Sequence, residues 1–93
     1  MRNTGQSFSK DVTVVNALGL HARSAAKIAE LAGRASSKVW VKKNEEIADA
    51  RSIIDLLTLV GEKGSKLTII IDDTSDMETL NRIVELVENG FGE

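Results

Sequence analysis

Four stretches of the chain alternate apolar and polar residues with the period of two that indicates β-strands. The last of them, residues 67–71, is the most apolar, so it is predicted to lie inside the sheet with both faces partly covered. Residues 43–46 are predicted to form the turn of a hairpin, although Asn44 and Glu45 bring no glycine to it. The four predicted strands are marked by Val12, Val14 and Val15, by residues 38–42, by residues 46–48 and by residues 67–71.

Three other stretches repeat apolar residues every three or four positions, as amphipathic helices do. The first covers residues 22–34, and Gly33 is predicted to close it in a left-handed conformation. The second is predicted to begin at Ser52 and the third to follow Ser75, because an acidic residue stands three positions after each serine. The predicted buried stripes are Ala25, Ile28, Ala29 and Ala32, then Ile53, Leu56, Leu57 and Val60, then Leu80, Ile83, Val84 and Val87.

The predicted order of elements is therefore βαββαβα. Each helix has one apolar stripe to bury, so the economical arrangement is an α+β fold with three helices on one face of a four-stranded, mostly antiparallel sheet. Residues 1–9 lack periodicity and are predicted to be an N-terminal tail, with Phe8 the first residue to dock. Residues 10–93 are predicted to form one domain.

Composition narrows the possible functions. The chain has 93 residues, of which 42% are hydrophobic and 28% charged, values typical of a small soluble globular domain. A net charge of −2 and only three aromatic residues argue against a nucleic-acid partner. Without cysteine there is no disulfide and no sulfur-ligated zinc, and no apolar run approaches the length of a membrane span. We therefore predict a cytoplasmic protein without membrane insertion.

The single histidine, His21, stands where the first predicted strand gives way to the first predicted helix. There Gly19 permits a tight turn, the helix N-terminus offers unpaired amide donors, and Arg23 can bind phosphate oxygens. A lone histidine with no second ligand four residues on is a poor metal site, whereas a neutral imidazole can attack phosphorus. These residues favour a covalent phosphohistidine, and no metal or cofactor is predicted.

The run Gly19-Leu20-His21-Ala22-Arg23-Ser24-Ala25 closely resembles the active-site signature of the HPr family, the histidine-containing phosphocarriers of the bacterial phosphotransferase system. The resemblance covers residues 10–93 and implies an open-faced β-sandwich, in line with the predicted order of elements. It also implies a stoichiometric carrier, not an enzyme, with a monomer as the default state. In such a carrier His21 accepts phosphate on its δ nitrogen from phosphorylated Enzyme I and passes it to the IIA domain of an Enzyme II, while Arg23 stabilises the phosphate. Further matches are Lys42-Lys43-Asn44, Ala50-Arg51-Ser52-Ile53-Ile54, Lys63-Gly64 and the final Gly92-Glu93.

The same resemblance implies a surface on which partner proteins dock beside the histidine. It gives a reason for Ile54, which the helical pattern leaves on the surface. The residues that match the family's apolar docking patch are Ile53, Ile54 and Leu57, and Ala22, Ala26 and Lys27 join its rim by position.

Ser52 matches the serine that a dedicated kinase, HPr kinase/phosphorylase, phosphorylates in many members of the family. A phosphate there would place a charge of about −2 at a helix N-terminus and obstruct Enzyme I. Ser52 is equally suited to be a plain N-cap, a role worth about 0.5–2 kcal/mol. Both interpretations stay open at this point.

Two residues depart from the family pattern. Ser24 stands where proline is usual and is predicted either to loosen the loop or to add a donor near the phosphate. Glu45 stands where glycine is common, which bears on the hairpin alone.

Two alternative functions are a regulatory paralogue that signals through Ser52 and, less favoured, a small phosphatase-like enzyme using His21 and Arg23. The enzyme would need a concave pocket and a nearby acid or base, and the residues around the motif offer no carboxylate.

Overall fold

The protein is described by a computed structural model in which residues 7–93 are placed. The predicted order βαββαβα is confirmed. Within residues 7–93 no helix has the length and apolarity needed to cross a membrane. The elements are β1 (Phe8–Thr13), α1 (Ala22–Ala32), β2 (Val39–Lys43), β3 (Glu46–Asp49), α2 (Ile53–Thr58), β4 (Lys66–Ile71) and α3 (Met77–Glu88), with single 3-10 turns at Thr74–Asp76 and Gly90–Gly92.

The sheet has the strand order β1-β4-β2-β3, and every neighbouring pair is antiparallel. As predicted, β4 lies in the interior, between β1 and β2. Its Leu67, Ile69 and Ile71 are fully buried, while Thr68 and Ile70 on the other face are half-buried. The three helices and the alternate strand residues that face them form one core, so the predicted α+β architecture is confirmed. The largest fully buried side chains include Phe91, Ile28, Leu56, Leu67, Ile69, Ile71, Leu80 and Ile83.

The predicted hairpin joins β2 and β3, with Lys43 paired to Glu46. Asn44 takes a φ of 56° at the first position of its turn. Asparagine adopts this left-handed conformation more readily than other residues with a side chain. The hairpin therefore closes without the glycine that a tight turn favours.

The first strand begins earlier than predicted. It starts at Phe8, so Phe8 and Ser9, which were predicted to belong to the tail, pair with Ile71 and Ile70 of β4. The pattern was weak because β1 is an edge strand in which only Val12 is buried. Residues 1–6 of the predicted tail lie outside the described residues.

Two predictions about helix ends were wrong. α1 ends at Ala32, and Gly33 has a φ of −65°, because the next amides continue a right-handed turn toward carbonyls three residues back. The residue that precedes α3 is Asp76, and Ser75 lies in the 3-10 turn before it. The Asp76 carboxylate makes no cap bond to α3 because it accepts hydrogen bonds from the loop after α1.

The buried stripe predicted for α2 was also largely wrong. Only Leu56 of its four members is buried, and Leu59 lies in the core instead. The helix has six residues and ends at Thr58, so a helical period cannot be extended to Val60. Ile54 is 75% exposed, as predicted.

Candidate functional site

The loop between β1 and α1 is fastened to the segment after α2. The amide of Leu20 donates to the carbonyl of Gly61 at 2.7 Å. Gly19 has a φ of 66°, and a Cβ at this position would lie 2.5 Å from the same carbonyl oxygen. Only glycine therefore allows the chain to approach Gly61 this closely just before His21.

His21 is the N-cap of α1, as the sequence predicted. Its backbone is extended, with a φ of −127°, and its carbonyl accepts the Ala25 amide at 2.7 Å. The imidazole turns back over the first turn of the helix, so that Nδ1 accepts the Arg23 amide at 3.3 Å. The imidazole is thus held against the amide donors at the positive end of a helix.

Ser24, in the position where the family usually has proline, is fully buried. Its hydroxyl oxygen accepts the His21 amide at 2.8 Å. The same Oγ lies 3.2 Å from the carbonyl oxygen of Gly19 and 3.1 Å from that of His21, and its one proton can be donated to either. Ser24 therefore tightens the loop and does not loosen it, and its donor serves the backbone of the loop.

A carboxylate lies against the imidazole, contrary to the expectation that none was near. His21 Nε2 is 2.6 Å from Oε2 of Glu93. Glu93 Oε1 accepts from Nδ2 of the buried Asn16 at 2.8 Å, and the same amide nitrogen donates to the Gly19 carbonyl. The hydrogen bond from Asn16, followed by that from His21, holds the pKa of Glu93 below its usual value.

These contacts assign the tautomer of the ring. Nε2 faces a carboxylate, which only accepts, so Nε2 carries the proton. Nδ1 faces an amide N–H, so it presents a lone pair. The contact to Nδ1 is long and weak, whereas the contact to Nε2 is short and charge-assisted. The geometry makes Nδ1 the nucleophilic atom.

Glu93 and Asn16 are the site residues that sequence reasoning missed. Glu93 is 72 positions from His21, and no local pattern connects the two. The glycines at positions 90 and 92 were a signal in the sequence that the chain turns there. Both Gly90 and Gly92 have positive φ and fold the chain back after α3. Nζ of Lys27 then donates to the Phe91 carbonyl at 2.6 Å and holds the returning segment in place.

The other predicted residues around His21 have different surroundings. Arg23 is exposed, and its guanidinium makes no hydrogen bond to any of residues 7–93. Ala22 is exposed and Ala26 is half-buried. Lys27, predicted as part of a docking rim, is half-buried, and its ammonium group donates to the Phe91 carbonyl.

Ser52 is the N-cap of α2, and its Oγ accepts the Asp55 amide at 3.1 Å. The capping interpretation of this serine is confirmed. The residue before it, Arg51, donates to the carbonyls of Ala32 and Ala35 and so joins the start of α2 to the end of α1. Along the short helix, Ile53, Ile54 and Leu57 are all exposed.

The fold and the site together define a class of protein. It is a small α+β domain that displays one histidine with an available δ-nitrogen lone pair at its surface. Within residues 7–93 no pocket lies beside this ring.

The family model described as the PTS HPr component phosphorylation site matches residues 8–89. The phosphocarrier protein HPr of Cupriavidus necator is 38% identical over 86 residues, which cover 92% of this chain and 97% of the relative. The HPr of Pseudomonas aeruginosa is 40% identical over 84 residues, 89% and 93% of the two chains. The crystal structure of HPr-C-His from Thermoanaerobacter tengcongensis has a TM-score of 0.86 at 30% identity, covering 92% of this chain and 97% of that one.

The chain belongs to the HPr family of phosphocarriers of the phosphotransferase system. The resemblance drawn from the histidine motif is therefore confirmed. Proteins of this family carry phosphoryl groups and are not enzymes.

Proposed function

We propose that this protein carries a phosphoryl group on Nδ1 of His21, accepting it from phosphorylated Enzyme I and passing it to the IIA domain of an Enzyme II in the cytoplasm. One observation carries the proposal. The imidazole lies between the Arg23 amide and the Glu93 carboxylate, so the proton is on Nε2 and the lone pair is on Nδ1. The ring is therefore already in the form that can attack phosphorus.

The transfer is a displacement at phosphorus. The Nδ1 lone pair forms the new N–P bond while the bond from phosphorus to the donor's histidine breaks and returns its electron pair to the donor. The proton on Nε2 stays between His21 and Glu93. The Arg23 amide, released from Nδ1, and the unoccupied Arg23 guanidinium are then available to the phosphate oxygens.

Glu93 acts in this proposal as a positioning residue. It fixes the ring orientation and keeps the proton away from Nδ1, while Asn16 fixes Glu93 in turn. A partner carboxylate of this kind orients many functional histidines. The arrangement is assembled before any partner arrives, so less ordering is required in the complex.

The docking surface for Enzyme I and the IIA domain is proposed to lie on α2. Ile53, Ile54 and Leu57 are exposed on this short helix, which packs against α1. Exposed apolar residues grouped in this way are typical of a contact surface between proteins. The loop that holds His21 is hydrogen-bonded to the segment after α2, from the Leu20 amide to the Gly61 carbonyl.

Regulation at Ser52 is a separate part of the proposal. A phosphate on its Oγ would add negative charge at the N-terminus of α2, next to Ile53 and Ile54. Placed beside an apolar contact surface, that charge would weaken docking of Enzyme I. The modifying enzyme would be an HPr kinase/phosphorylase.

The test is intact mass spectrometry after incubation with Enzyme I, magnesium and phosphoenolpyruvate. We expect one added phosphate that is lost in acid and absent in His21→Ala, whose fold is checked by circular dichroism. The absence of an adduct on the folded wild-type protein would contradict the proposal and favour the regulatory paralogue. In that case an acid-stable phosphate formed by the serine kinase and ATP, and absent in Ser52→Ala, would be the expected result.

A further inference from the structure

Lys27 uses its charged head group inside the protein. It lies in the second turn of α1, where its side chain is half-buried. Its Nζ donates to the Phe91 carbonyl at 2.6 Å, a short charge-assisted hydrogen bond. Exposed lysines keep the ammonium group in water and bury only the methylene stem. The head group of Lys27 therefore serves a contact within the chain.

The carbonyl that Lys27 binds belongs to the segment that brings Glu93 to the imidazole. Residues 90–92 form a 3-10 turn, and the amides of Gly92 and Glu93 donate to carbonyls of the same segment. These bonds shape the segment but do not fasten it to α1. The Phe91 side chain is 1% exposed and anchors the turn in the core. The bond from Lys27 to the Phe91 carbonyl then ties the main chain of the turn to α1.

These contacts form a closed path through the site. His21 caps the start of α1, and Lys27 lies further along the same helix. From Lys27 the path crosses to the Phe91 carbonyl, follows the chain through Gly92 to Glu93 and returns to Nε2 of His21 at 2.6 Å. Because one helix carries both the imidazole and the ammonium group, the bond from Lys27 sets where Glu93 lies relative to the ring.

We propose that Lys27 is a positioning residue for phosphoryl transfer, and that it acts through Glu93 on the His21 ring. The proposal rests on the phosphocarrier function given above. Without the bond from Lys27, Glu93 would hold the proton on Nε2 less firmly, and Nδ1 would present its lone pair for a smaller fraction of the time. Lys27 thus serves the chemistry of the ring, in contrast to the docking role implied by its place on the rim.

The test uses two variants of this lysine. Lys27→Met removes the donor and keeps an unbranched stem, and Lys27→Arg keeps a charged donor. The matched control is Lys10→Met. Nζ of Lys10, on β1, also makes a hydrogen bond of 2.6 Å, to Oδ1 of Asn81. The control therefore reproduces the change in net charge and the loss of one bond without touching residues 89–93.

Two measurements are made on each variant after its fold is checked by circular dichroism. The imidazole nitrogen shifts are recorded on the free protein, where the single histidine of the chain makes their assignment unambiguous. Single-turnover transfer from phosphorylated Enzyme I, at varied Enzyme I concentration, separates the rate constant of transfer from the concentration that gives half of it. A purely structural or docking role of Lys27 would leave the ring tautomer unchanged.

We expect Lys27→Met to show a mixture of ring tautomers and a rate constant lowered about threefold, with an unchanged half-saturating concentration. The effect is smaller than that of losing the carboxylate because Asn16 also holds Glu93. Lys27→Arg should restore most of the rate, and Lys10→Met should match the wild type. In the Glu93→Gln background, Lys27→Met should slow transfer no further, since residues that act through one contact are not additive.

Four results would overturn the inference. Wild-type tautomers in Lys27→Met would show that the bond does not position Glu93. A raised half-saturating concentration with an unchanged rate constant would assign Lys27 to docking. Equal losses in Lys27→Met and Lys27→Arg would mean that the donor is not what matters, and additive losses with Glu93→Gln would mean that Lys27 does not act through Glu93. Failure of the phosphocarrier function itself would appear separately, as an absence of transfer to the wild-type protein.

Discussion

The starts of α1 and α3 place two polar side chains in the same position, at the N-cap, with opposite results. His21 precedes α1, and its Nδ1 receives one long contact of 3.3 Å from the Arg23 amide. Asp76 precedes α3, and its two oxygens accept three hydrogen bonds of 2.9 to 3.1 Å from Ser36 and Ser37. Asp76 is buried, whereas the side chain of His21 is 24% exposed.

The two side chains differ in how much of their hydrogen-bonding capacity is already used inside the protein. The carboxylate of Asp76 is buried and accepts three hydrogen bonds from the loop after α1, so it serves the fold by joining that loop to α3. His21 is firmly held at one nitrogen and weakly at the other, so one atom is left for chemistry. The N-cap position alone therefore does not distinguish a structural residue from a candidate for chemistry. The number and strength of the hydrogen bonds that its side chain already makes do distinguish them.

The largest expected effect is that of Asp76→Ala on stability. The change leaves the amides of Ser36 and Ser37 without partners inside the protein, and we expect the free energy of unfolding to fall by about 3 kcal/mol. Urea denaturation measures this. Below the transition, the variant should still accept one phosphate on His21. If Asp76→Ala were as stable as the wild type, Asp76 would not be the structural counterpart of His21 that its hydrogen bonds indicate.

Lowering the pH should also reduce the stability of the protein through the Asp76 carboxylate, but by less than the substitution does. Burial raises the pKa of Asp76, but hydrogen bonds from Ser36 and Ser37 outweigh it and hold the pKa below the usual 3.8. The stabilisation is therefore present above pH 3.8 and is lost as the pH falls further, through the folded-state pKa. We expect urea midpoints measured between pH 5 and pH 2.5 to fall more steeply in the wild type than in Asp76→Asn. Parallel curves would contradict this.

Glu93→Gln tests whether the Glu93 carboxylate positions the His21 ring. A charge-assisted hydrogen bond is about twice as strong as a neutral one. We expect the rate constant of phosphorylation to fall about tenfold, equivalent to about 1.4 kcal/mol. The nitrogen chemical shifts of the imidazole should show a mixture of tautomers in the variant.

Glu88→Gln is the matched control, since Glu88 is an exposed carboxylate near the end of α3. It should change neither the rate constant nor the nitrogen shifts. Normal tautomer shifts in Glu93→Gln would show that the carboxylate does not position the ring.

Ser24→Ala should have the smallest effect. It leaves the His21 amide without its partner in a half-buried place, and we expect a loss of about 1 kcal/mol in stability. Thermal unfolding measures this, with Ser75→Ala, at an exposed serine, as the control. Equal melting temperatures for the two variants would mean that Ser24 does not tighten the loop.

Much of the fold followed from periodicity because most elements bury one regular face. The alternation of β4 and the stripe through Leu80, Ile83 and Val87 were read correctly for this reason. The errors fall where the period is short or one-sided, as in six-residue α2 and edge strand β1. In these two elements tertiary contacts decide which residues are exposed, and no local pattern encodes those contacts.

The site was predictable only in part. His21 and the N-cap role of Ser52 could be read from neighbouring residues, because helix ends have local signatures. Glu93 and Asn16 could not, because their meeting depends on how α3 and the residues after it pack against the loop. Site residues that are distant in sequence appear only once the chain is folded.

The contact between the Arg23 amide and Nδ1 makes the backbone itself a reporter on the ring. This N–H points at Nδ1, the atom whose charge and bonding would change in the proposed phosphoryl transfer. Its neighbour, the His21 amide, is bound to Ser24 Oγ and has no such exposure to the reaction. In a two-dimensional amide spectrum the Arg23 resonance should therefore move far more than the His21 resonance on phosphorylation, giving a residue-specific signal of the loaded carrier without any label on the imidazole.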